Sequence, residues 1–212
     1  MKSLPIAGAS GLLAGCLAVA TTILGGWSSA DYSHTTQFIS ELGAVGATQQ
    51  ALVNFAGFLP IAILTLGFVV FGRTLIGPSK PAGFGWWLLT SVVVGYGVAA
   101  FYPCDSGCPA VGSGRQAIHN LAGIVEYFGC VLGLMLIGAS GGKFPCAPGW
   151  VKRIGLIAGL GVAVGFVLMA ADETSRGLWQ RLAETSIFGW MGICSVYMLK
   201  AGTVAEESST SG

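Results

Sequence analysis

Charge is what this sequence has least of. Only 9% of its 212 residues are Asp, Glu, Lys or Arg, whereas a soluble domain carries about 25%. A fully water-exposed globular surface is therefore excluded. Ten basic against nine acidic residues leave a formal net charge of +1, which gives no electrostatic footing for nucleic acid. Histidine is equally scarce, and the two in the chain do not make a convincing bis-histidine haem pair within a bilayer. No glycine-rich phosphate loop, haem-attachment motif or nucleophile elbow is present, so no cofactor and no resident metal are expected.

What is abundant is apolar length. Hydrophobic residues make up 53% of the chain, the mean hydropathy is +0.75, and the 34 glycines sit mostly inside apolar runs, where small residues let helix backbones approach closely. Six runs are long enough to cross a bilayer: 3–30, 49–72, 83–102, 116–139, 154–171 and 178–199. The first is too long for the apolar core of a signal peptide, although Ser28 and Ala30 resemble a cleavage site, so it is read as a retained span. Pro60 is expected to kink the second span, and Trp86 and Trp87 to anchor the third at an interface. The fold class is all-α, a polytopic bundle of six transmembrane helices over residues 1–200, with a disordered cytoplasmic tail at 201–212.

Basic residues fix the expected orientation. With both termini inside, Lys2, Arg73, Lys80, Lys143, Lys152, Arg153 and Lys200 are cytoplasmic, and Arg115, Arg176 and Arg181 are outside. Seven against three satisfies the positive-inside rule for a plasma (inner) membrane protein. Asp31, Glu41, Asp105, Asp172, Glu173 and both histidines then share the outer side. The first outer connection, DYSHTTQFISELG (31–43), has Asp31 or Ser33 to cap a short interfacial helix and Gly43 to end it.

Glu126 stands in the middle of the fourth run. At about 100° per residue it shares a helical stripe with His119 and Gly123, and an ionisable group at that depth faces a bundle interior or a wet cavity rather than lipid. It is either a structural carboxyl bonded to Tyr, Ser or Asn of a neighbour, or it handles a ligand, a proton or a lipid. Arg181 and Glu184, three apart, can pair on one face of the sixth run. Cys104 and Cys108 share a short outer loop, which reads as a local disulfide in an oxidising exterior. Two thiols with His34 and His119 make zinc the sharper alternative. Cys16, Cys130, Cys146 and Cys194 are given no chemistry. A triad of Ser40 with a histidine and Asp105 can be drawn, without any supporting motif.

The ISELG core of 31–43, the loop FYPCDSGCP (101–109), His119, and Gly177, Leu178, Gln180 and Arg181 together resemble the six-span membrane family catalogued as domain of unknown function 998, over nearly the whole chain. More distantly, ISELG is similar to a motif of eukaryotic DRAM-like six-span proteins. The resemblance implies a prokaryotic six-helix membrane protein with an outer-facing motif cluster and transfers no enzymatic activity. Glu126 is not part of that pattern.

His34, Glu41, Asp105, His119, Asp172, Gln180 and Arg181 are therefore expected to converge on one outer pocket with Glu126 at its floor. Arg181 would meet a phosphate or carboxylate, and the imidazoles would hydrogen-bond. The first functional reading is a protein that binds or organises a lipid headgroup or small amphiphile; an outer-leaflet lipid hydrolase and a small proton-coupled transporter are the alternatives. Membrane lipids are the expected partners, with a second copy or another membrane protein as further candidates.

Overall fold

Apolar runs of about 20 residues can each satisfy their own backbone amides in a bilayer as helices, and helices joined by turns make up the computed structural model, with no strand among its described residues. These are 3–141, 144 and 147–210, the side chains of 204–210 excepted. Lys2, Lys143 and Cys146 lie outside them. Six helices are long and apolar enough to cross a membrane: Leu4–Trp27, Gln50–Leu75, Lys80–Phe101, Gly114–Ala139, Gly149–Ala171 and Arg176–Thr203. The protein is a multi-pass membrane protein. Its last helix runs on to Thr210; the expectation of a disordered tail falls largely on side chains and residues outside the described set.

Each span packs on its neighbours in the chain, and the first packs on the sixth, so the six close into a ring. Connections alternate between the two ends of the ring, so neighbouring spans run antiparallel. Where helices touch most closely the contact residues are glycines. A side chain at Gly85 would meet the carbonyl of Gly133, and one at Gly133 would meet that of Gly85, so the third and fourth spans approach at backbone distance. Leu13, Ile63, Leu121, Ile157 and Val167 point outward and are exposed, as a lipid-facing surface requires.

Connections 28–49, 102–113 and 172–175 share one end of the ring, called here the disulfide end; Leu4 at the start of the first span and Thr203 at the end of the sixth lie at the other, the termini end. The termini half is filled by aromatics. Trp86 is fully buried, packs on Phe68 and Trp190 with centroids at 5.1 and 6.2 Å, and donates its indole N–H to Val69 O at 2.8 Å. This corrects the expectation that Trp86 is an interfacial anchor: its only hydrophilic atom finds a carbonyl inside the bundle, which frees the ring to serve as core. Trp87 remains exposed. Before Pro60, residues Val53–Phe58 wind as a π-helix, one way a helix accommodates the missing proline amide.

Candidate functional site at the disulfide end

The first turns of the sixth span hold the first connection. Arg176 forms an ion pair with Glu41 at 3.1 Å, donates to Thr36 O and Gly107 O, and stacks over Phe38 with 4.5 Å from guanidinium to ring centroid. Gly177 lies against the backbone of Gln37, and Leu178 N–H donates to Thr35 O at 3.0 Å. Gln180 accepts from Ile39 N–H at 2.6 Å. Arg181 donates to Gln37 O, Gly177 O, Tyr32 Oη and His34 Nδ1 at 2.6–3.1 Å. His34 must therefore present a lone pair at Nδ1; burial first, and the Arg181 charge second, hold it below the usual imidazole range. The helix in this connection is a short 3-10 turn over Ile39–Gly43, entered at Phe38 and not capped by Asp31 or Ser33.

Cys104 and Cys108 form a disulfide with Cα atoms 5.1 Å apart, an ordinary separation for such a bond. The turn between them needs two left-handed residues, Gly107 at φ 76° and Cys108 at φ 44°. Asp105 accepts from Ser113 N–H and Oγ, both at 2.8 Å, while Ser113 caps the fourth span. These bonds, with Arg115 at 3.7 Å, hold the Asp105 carboxyl below the usual carboxylate range. Asp172 does the same work at the next turn: Thr174 and then Trp179 donate to it and bring it to about 2. Val45 N–H donates to Cys104 O at 2.9 Å, and Ser40 Oγ lies 3.4 Å from Cys108 Sγ, so the disulfide turn also braces the first connection. Thiol labelling under denaturing conditions is expected to add two reactive cysteines after reductant; an unchanged count would show Cys104 and Cys108 to be free.

Behind these loops lie two cavities that share a wall. The larger, about 790 Å³, is a groove between the first and sixth spans. Its floor is Gly11, Gly15, Ala18, Gly189 and Gly192, and His34, Arg181 and Glu184 stand at one end. The smaller, about 60 Å³, is a chamber among the second, third, fourth and sixth spans. His119, Gly123 and Glu126 all line it. Glu184 and Tyr96 border both spaces. In the chamber Glu184 accepts from Tyr127 at 2.7 Å and Tyr96 at 3.0 Å, and Gln180 donates to Tyr127 Oη at 3.2 Å.

The expected single pocket is thus divided. His34 and Arg181 face the groove, and His119, Gln180 and Glu126 face the chamber. Glu41 is committed to Arg176, Gln37 and the amide of Phe38; Asp105 and Asp172 cap turns and line neither space. Arg181 and Glu184 bond other groups in preference to each other, because an arginine reaches back to the first connection and a glutamate finds two phenols. The four-ligand zinc set does not assemble: His34 is taken by Arg181, although the two sulfurs and a His119 nitrogen lie within 4.8 Å of one another. Ser40 faces a sulfur and Asp105 faces Ser113, so no triad forms from them. Tyr96, Tyr127 and Arg176 were not singled out from sequence as site residues; the signal available was a phenol beside Glu126 and an arginine opening a span.

The chain matches, over residues 12–197, the family described as "Protein of unknown function (DUF998)", and it belongs to that family. No curated protein and no solved structure matches it.

Proposed function

We propose that this DUF998 member binds an anionic amphiphile, such as a lipid or fatty acid, with its chain in the groove between the first and sixth spans and its head at Arg181. One observation carries the reading. Arg181 borders an apolar groove, no carboxylate lies within ion-pairing distance of it among the described residues, and its buried Nε–H has no partner. A guanidinium in that setting favours a carboxylate or phosphate. The groove is of the size usual for small-molecule sites, and its small-residue floor leaves room for an alkyl chain.

The test exploits Gly189, where an added Cβ meets nothing within 4 Å. Gly189→Leu is expected to fold as the wild type does while losing co-purified anionic lipid, read by native mass spectrometry. Equal lipid retention by both proteins would overturn the reading. Hydrolysis draws less support, since Ser40 and Asp105 are engaged elsewhere. Transport draws less because the termini half is packed by Trp86, Phe68 and Trp190.

The same reading sets the protein in a plasma membrane with both termini cytoplasmic and the disulfide end outside. Arg73, Lys80, Lys152, Arg153 and Lys200 stand at the termini end, against Arg115, Arg176 and Arg181 at the other. A cytoplasm-dependent reporter fused to the C-terminus is expected to be active; activity of an exterior-dependent reporter there would reverse the orientation.

A further inference from the structure

We propose that the chamber behind the groove is a binding site for one sodium ion, with Glu126 as its charged ligand. The two carboxylates that line it are not equivalent. Glu184 has both oxygens occupied by the phenols of Tyr96 and Tyr127. Glu126 is 6% exposed, its Oε1 has no partner, and the ion pairs among the described residues, Arg115 with Asp105 and Arg176 with Glu41, both lie at the disulfide end.

The position of Glu126 is built rather than incidental. Its backbone carbonyl accepts from Ser91 Oγ at 3.0 Å, and the third span makes room for its side chain only because residue 95 is glycine: a Cβ there would lie 2.9 Å from Glu126 Cβ and closer still to the carboxyl. An ionised group at this depth persists only beside a counter-charge. Two phenol donors share the charge of Glu184, whereas Glu126 Oε1 has none, so the ionised form of Glu126 calls for one positive charge. The polar groups facing the space are carboxylate, phenol and hydroxyl oxygens, with the Gln180 amide and the His119 ring, and oxygen-rich sites select hard cations over soft ones. A space of about 60 Å³ admits a small ion with water, not an organic cation. The inference does not rest on the amphiphile reading, since the groove lies on the other side of Glu184 and Tyr96.

The experiment measures binding of radioactive ²²Na⁺ to the purified full chain in detergent, with choline replacing sodium to hold ionic strength. Saturable binding of one ion per chain is expected, displaced by unlabelled Na⁺ and not by choline. Glu126→Gln, which keeps the shape and removes the charge, is expected to abolish it. As a second measurement needing no variant, Na⁺ is expected to raise the melting temperature of the wild type above that in choline. The proposal is overturned if the wild type binds no ²²Na⁺ saturably, if folded Glu126→Gln still binds it, or if stability follows pH alone with no response to Na⁺, which would make a proton the counter-charge.

Discussion

Replacing Gly177 by alanine is expected to detach the first connection from the sixth span and lower stability by about 3 kcal/mol, the upper end for overpacking. A Cβ at this position falls within 2.9 Å of the Gln37 backbone carbon and nitrogen and nearer still to its oxygen. The obstacle is main chain and cannot swing aside as a side chain would. Moving it would also strain the bond from Leu178 N–H to Thr35 O and the reach of Arg181 to Gln37 O, Tyr32 and His34. Thermal unfolding in detergent checks the result. Gly149→Ala, where a Cβ meets nothing within 4 Å, serves as the control; matching melting temperatures for the two variants would remove the argument.

The second large effect belongs to Glu184. Alanine there leaves the buried Tyr96 and Tyr127 hydroxyls without the acceptor they share, at about 1–3 kcal/mol for each buried donor. Glutamine retains one acceptor oxygen and is expected to lose less. The decisive comparison is the triple change Glu184→Leu, Tyr96→Phe, Tyr127→Phe. Removing donors and acceptor together leaves nothing unsatisfied, and stability is expected to recover most of the way. If Glu184→Ala melts with the wild type, or the triple variant is no better than Glu184→Ala, the phenols are not held by this carboxylate.

The reach of sequence and the work of tertiary structure separate cleanly at particular residues. Scarce charge and six apolar runs imply six helices, because a backbone in hydrocarbon must close its own hydrogen bonds. Helices begin before the apolar runs where a polar first turn continues them, as at Gly149 and Arg176, while the first stops at Trp27, short of its run, and the sixth continues past Leu199. The fourth span's periodicity sets His119, Gly123 and Glu126 on one stripe, a local property of a helix, and those three line one chamber. Cys104 and Cys108 lie close enough in the chain to meet.

What periodicity cannot supply is which neighbour a stripe will face or how far a long side chain will reach. Arg181 could pair with Glu184 one turn away; only the fold shows it spanning to Tyr32 and His34, nearly 150 residues distant in sequence. Trp86 carries the same signal as Trp87, and a single carbonyl of Val69 in another helix draws it inward. Asp105 and Asp172 share the polar end with the site residues, yet nearby hydroxyls and amides claim their oxygens first. The sequence by itself determined the helices and the end of the bundle that carries the polar groups, since both follow from transfer energies summed along the chain. The division of those groups between groove and chamber was decided by the ring closure that sets the sixth span against the first, because a hydrogen bond requires two atoms within about 3 Å and only the packed fold brings them there.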